Sequence, residues 1–129
     1  MKQYLIIAIA IPLIAMSFAF DQSSLNSGTQ DVTRPEEVQT ILNKSCMPCH
    51  SDQGSGLKSK SKLNFDKLND LDPTKKVSKL LKIAEEIEEK KMPKSGYIKK
   101  HPEAALTTDE ADLLIKWAEE EAEQIVGKK

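Results

Sequence analysis

The chain has 129 residues, of which 39% are hydrophobic and 30% charged, and its formal net charge at pH 7 is −1. Such a length holds one small domain, and a charge so close to balance excludes a general nucleic-acid binder. Both cysteines of the chain fall within four residues of each other, at Cys46 and Cys49.

Lys2 begins a positively charged start, Leu5 to Ala15 is apolar except for Pro12, and Ser17-Phe18-Ala19 offers small residues where a signal peptidase reads. This predicts a signal peptide over 1–19, cut after Ala19, and hence an exported, periplasmic protein. The apolar run from Tyr4 to Phe20 is about the shortest that spans a bilayer, normally ~17–25 residues. A membrane tether is therefore expected only if the signal stays uncleaved. The mature chain would carry eighteen Lys and Arg against twenty Asp and Glu, with only about a third of its residues apolar. A core that thin is helped by a bulky apolar guest.

Residues 20–33, FDQSSLNSGTQDVT, are polar and aperiodic and read as a flexible spacer, leaving 34–127 as the folded domain. Thr33 and Glu36 have capping-box spacing ahead of a first helix striped by Val38, Ile41 and Leu42, ending near Lys44 or Ser45. SDQGSGLKSKSK, 51–62, reads as a polar loop, and LNFDKLNDL as a short helical turn burying Leu63, Phe65 and Leu68. Asp72-Pro73 is an N-cap with proline at the first helical position, opening a second long helix that stops before Pro93. Val77, Leu80, Leu81, Ala84 and Ile87 carry its apolar face. After the irregular MPKSGYIKKHPEAAL, Thr107 and Glu110 repeat the capping-box spacing. They precede a last helix with a stripe of Ala111, Leu114, Trp117, Ala118 and Ile125, stopped by Gly127. Nothing alternates like a strand, so the expected class is all-α, with three main helices.

Cys46-Met47-Pro48-Cys49-His50 is C-x-x-C-H. Two thiols separated by two residues reach the two vinyl groups on one porphyrin edge, and the adjacent histidine is held under the iron as the proximal ligand. Three rivals share parts of the pattern. A redox dithiol belongs after a strand, and no strand is predicted. A zinc site needs four ligands, and adjacent Cys49 and His50 do not converge on one tetrahedral ion. A disulfide closing so small a loop stabilises little and leaves His50 without a purpose. The expected cofactor is thus one covalently bound haem c.

The second axial position has few candidates in the mature chain. Met47 lies between the attachment cysteines and does not reach the far face. Met92, at a helix end and next to Pro93, is the preferred ligand; His101, before Pro102, is the alternative, and an open or water-ligated iron is the third option.

These residues together resemble the small monohaem c-type cytochromes, and more closely an exported bacterial haem-binding domain family. The likeness lies in VQTILNKSCMPCHS, LNFDKLNDL, EEIEEKKMPKSGYIKKHPEAALT and TTDEADLLIKWA, from about Pro35 to Glu119. It implies a cytochrome c-like bundle with thioethers on Cys46 and Cys49, His50 proximal and Met92 distal. It also implies a Trp117 that packs against the first helix. Phe65 and Tyr97 are the aromatic candidates for the haem wall. The expected function is one-electron transfer rather than enzymatic turnover. A haem-based sensor or small-gas binder with a weak sixth ligand is the alternative, and a peroxidase ranks below both. Residues 58–100 carry thirteen lysines and seven acids, a surface suited to an acidic redox partner.

Overall fold

The computed structural model describes residues 31–127. The expected signal peptide and most of the expected spacer lie outside them. The described chain is all helical, in the order α1 (Glu36–Ser45), α2 (Met47–His50), α3 (Leu57–Lys62), a 3₁₀ segment (Phe65–Asp70), α4 (Pro73–Glu88), α5 (Ser95–Ile98), a 3₁₀ turn (Pro102–Ala104) and α6 (Thr108–Gly127). The three longest helices are α1, α4 and α6. None of the described helices is long and apolar enough to cross a membrane.

The bundle is organised by two of them. α4 and α6 lie against each other along much of their length, while α1 touches α6 more lightly. Leu80, Ile83, Ala84 and Ile87 of α4 are buried, as are Leu114, Trp117, Ala118 and Ala122 of α6, and they join Val38, Ile41 and Leu42 of α1 in one core. Fully burying one large aliphatic or aromatic side chain contributes about 1.5–3 kcal/mol. The face of α4 differs from the sequence expectation at two positions: Leu81 is half exposed, and Ile83 takes its place inside. Ile83 and Ile87 are four positions apart, so both lie on one helical stripe.

The helix starts show which capping signals acted. Asp72 accepts a hydrogen bond from the Lys75 amide at 3.0 Å, with Pro73 at the first helical position, as the sequence implied. Thr107 and Glu110 form a reciprocal box at the start of α6, with 2.8 and 3.2 Å bonds. Thr33 does not cap α1. Pro35 occupies the N-cap without a side-chain bond, and the Thr33 amide and hydroxyl instead donate to buried Glu121 at 2.9 and 2.5 Å. The Trp117 indole donates to the Thr33 carbonyl at 2.7 Å, and the Val32 amide donates to Asn69. Of the stretch expected as spacer, Val32 and Thr33 thus pack against the domain, because the 3₁₀ segment and α6 supply long-range partners that no local pattern announces.

The exit from α4 sets the position of Met92. Lys90 adopts φ 56°, the left-handed conformation of a helix C-terminus. Its amide donates to the Ile87 carbonyl, and the Lys91 and Met92 amides both donate to the Glu86 carbonyl. This Schellman-type closure turns the chain sharply and fixes Met92 beside the end of α4.

Candidate functional site

α1 ends at Ser45, and Cys46 breaks the helix with φ −119°, ψ −50° before α2 carries the rest of the motif. Within α2 the amides of Cys49 and His50 both donate to the Cys46 carbonyl, at 3.1 and 3.0 Å. The C-x-x-C-H segment is therefore one tight helical turn. Neither thiol is in a disulfide. Burial, with Cys49 nearby as a lesser cause, pushes the Cys46 thiol up to about 12. A thiol held protonated is a poor redox nucleophile and a poor zinc ligand, since both roles need the thiolate. No group of three or more His, Cys, Asp or Glu side chains is placed to hold a metal ion among the described residues.

The segment expected as a loop after the motif is more ordered than its composition suggests. Residues 57–62 form α3, and the preceding turn presses onto α2. A β-carbon on Gly54 would come within 3.0 Å of the Cys49 carbonyl carbon and 3.1 Å of the Met47 and Pro48 carbonyl oxygens. One on Gly56 would meet the Cys49 carbonyl oxygen at 3.1 Å. The Ser55 amide donates to the Pro48 carbonyl, and the Ser51 hydroxyl to the Met47 carbonyl at 2.7 Å. The two glycines let this turn lie directly on the motif backbone.

His50 is oriented by the same neighbourhood. Its Nδ1 lies 3.0 Å from the Leu63 carbonyl, and its ring meets Phe65 edge-on with centroids 6.5 Å apart. An Nδ1–H donated to a backbone carbonyl fixes the tautomer and leaves Nε2 as the basic nitrogen, the arrangement typical of a metal-ligating imidazole. Phe65 is buried, and Arg34 braces it, with its guanidinium donating to the Phe65 carbonyl and standing 5.7 Å from the ring centroid.

These groups open onto a cavity of about 510 Å³ between α2, the α3–Leu63 segment and α4. Its wall includes Cys46, His50, Leu63, Phe65, Ile83, Ile87, Met92, Pro93 and Leu106; Lys62, Lys79, Lys82 and Glu86 also line it. Cofactor and small-molecule sites commonly occupy ~300–1,000 Å³ and are mostly apolar with a few polar groups. Ser45 also lines it, and its buried hydroxyl has no hydrogen-bond partner. A buried hydroxyl without a partner carries a desolvation cost that a polar atom of a bound group would relieve.

Of the residues singled out from sequence, Cys46, His50 and Met92 line this one cavity, although Met92 stands 46 positions beyond Cys46. Cys49 comes one turn after Cys46 and is half-buried. His101 lies elsewhere: it is exposed, stacks on Tyr97 with centroids 4.5 Å apart, and has Nδ1 3.3 Å from Glu103. Tyr97, paired with it, is not part of the cavity wall, whereas Phe65 is. The Leu63 carbonyl, Ile83, Ile87, Leu106 and the lysines were not legible as site residues. Only the i, i+4 pair Ile83–Ile87 left a local signal. A shallower recess of about 400 Å³, lined by Val32, Arg34, Asp66 and Asn69, lies against the same Phe65.

Residues 57–120 match the family model described as a haem-binding domain. The matched segment includes α3, α4, Met92 and most of α6, and begins seven positions after His50. No curated protein and no solved structure matches the chain.

Proposed function

Because residues 57–120 match the family model of a haem-binding domain, we propose that the chain is a small electron-transfer protein carrying one covalently attached haem c. The observation that carries this reading is the convergence of Cys46, His50 and Met92 on one largely apolar cavity. The donor set suits the group: one imidazole with Nδ1 already engaged, one thioether on a stiff turn, and two thiols within a single turn of helix. An iron porphyrin supplies a one-electron couple when bound, with potential set by its axial ligands, burial and nearby charge.

Each residue then has a distinct task. Cys46 and Cys49 anchor the group through their sulfur atoms. His50 is held in one orientation by the Leu63 carbonyl and offers Nε2 to the metal. Met92, positioned by the Schellman-type exit of α4, would offer its sulfur as a second ligand from the cavity wall. Phe65, Ile83, Ile87 and Leu106 exclude water, lowering the local dielectric around any charge change. With His50 and Met92 both available to hold the metal, the group would serve to pass electrons rather than to make bonds. Its destination is the periplasm, and its docking surface for an acidic redox partner is the lysine-rich stretch 58–100.

The test is expression of the full chain with cytochrome c maturation machinery. Haem that survives acid–acetone extraction, lost when Cys46 and Cys49 are replaced by Ala, is the expected result; no attached haem would overturn the proposal. A sulfur-to-iron charge-transfer band in the oxidised protein should disappear in Met92→Ala and persist in His101→Ala. Ready carbon monoxide binding by the unmodified ferrous protein at neutral pH would instead make it a gas binder.

A further inference from the structure

The cavity carries more cationic groups than its own anions neutralise. Lys62, Lys79 and Lys82 line it, with Glu86 as the one carboxylate among the lining residues. All four are exposed or half-buried, so they form its solvent-side rim rather than its apolar floor. Lys82 is already engaged: its Nζ lies 2.8 Å from Glu85 Oε2 and 3.2 Å from Glu86 Oε1. Among the described residues Lys79 is not paired with an acid. Its Nζ donates to the neutral carbonyl of Lys62 at 2.5 Å. That bond ties the backbone at the end of α3 to α4, and both lysines line the cavity.

The rim therefore presents three lysines and one carboxylate, a net positive edge, next to an apolar cavity. A ligand matching it has a broad apolar body and two carboxylates on one edge. Resting on the haem-binding reading, we propose that Lys62 and Lys79 bind the two propionate groups of the porphyrin. Lys82, held by Glu85 and Glu86, is the lesser contributor. The physical argument is that a charge-assisted N–H···O bond to a carboxylate is about twice as strong as a neutral one, whereas Lys79 now has only a neutral carbonyl as acceptor. Cys46, Cys49 and His50 would hold the bound group to α2, and this lysine pair would hold its carboxylates at the cavity rim.

The experiment titrates the full chain carrying Cys46→Ala and Cys49→Ala with haemin and, separately, with haemin dimethyl ester, following the Soret absorbance. Two ion pairs at the solvent-side rim, each worth a few-fold, predict that the free diacid binds about tenfold more tightly than the ester. In Lys62→Gln/Lys79→Gln on the same background, that ratio should fall to near one. Lys99→Gln, which removes one exposed lysine away from the cavity, should leave it unchanged. The same titrations on the apo chain with both cysteines intact guard against a folding defect of the alanine variant. Equal binding of acid and ester, a ratio unaffected by the double substitution, or an equal loss in Lys99→Gln would each overturn the assignment. Failure of both porphyrins to bind would overturn the haem reading itself and this assignment with it. Binding of both with an unaltered ratio defeats the lysine assignment alone.

Discussion

Replacing Gly54 by alanine tests whether the turn after the motif supports it. The added β-carbon would stand 3.0 Å from the Cys49 carbonyl carbon and 3.1 Å from two further carbonyl oxygens, inside ordinary van der Waals contact on three sides. All three are backbone atoms of α2, so no flexible side-chain end can swing away. Relief requires the 51–56 turn to lift off α2, which would stretch the 3.1 Å bond from the Ser55 amide to the Pro48 carbonyl. Overpacking of this kind costs about 1–3 kcal/mol. In a domain of this size each kcal/mol moves the melting temperature by roughly 4–8 °C, so a fall of roughly 4–24 °C is expected. The assay is thermal unfolding followed by far-ultraviolet circular dichroism, with Gly96→Ala as control. Nothing lies within 4 Å of a β-carbon at Gly96, and this position is in α5. The control should therefore be neutral or up to ~1 kcal/mol more stable, since alanine suits a helix better than glycine. A Gly54→Ala protein melting within about 2 °C of the parent, a cost well under 1 kcal/mol, would refute the claim that this turn lies directly on the motif. If haem is attached as proposed, the amount attached should fall with stability in the same variant, because the α2 backbone carries Cys49 and His50.

The helix ends give two more tests. Lys90→Gly, at φ 56°, should stabilise the domain by about 0.5–1 kcal/mol in urea unfolding, because glycine occupies the left-handed region without the steric cost of a β-carbon; a destabilised variant would count against the Schellman-type exit. The Lys44 ammonium, 2.5 Å from Glu110, and then the Thr107 amide hold the Glu110 carboxyl below its ordinary value of 4.5. A carboxyl depressed in this way adds stability above pH 4.5 that is lost as pH falls through its folded value. Unfolding at about pH 3 and about pH 6 should therefore show a smaller acid loss in Glu110→Gln than in the parent, by about 0.5 kcal/mol after allowing for solvent screening; identical acid profiles would contradict it.

The all-helical class, the three long helices and two of their start signals were legible because they depend on neighbours in sequence. Asp72 with Pro73, and Thr107 with Glu110, each satisfy amides close by in the chain. C-x-x-C-H was legible for the same reason: its chemistry is compressed into five residues. The pairing of Thr33 with Glu121, by contrast, spans 88 positions and displaced the local box expected with Glu36. Leu81 and Ile83 both suit an amphipathic helix, and only the packed position of α6 decides which is buried. Gly54 and Gly56 read as loop residues until α2 lies against them. Met92, at a helix end before Pro93, was legible as the preferred sulfur and His101 as the alternative. The turn at Lys90 directs Met92 into the cavity, while the 95–104 segment carries His101 to the surface beside Tyr97. Sequence by itself determined the chemistry available, the thiols, the imidazole and the thioether. Tertiary structure decided which of them share a cavity, because convergence depends on long-range packing and helix exits rather than on spacing along the chain.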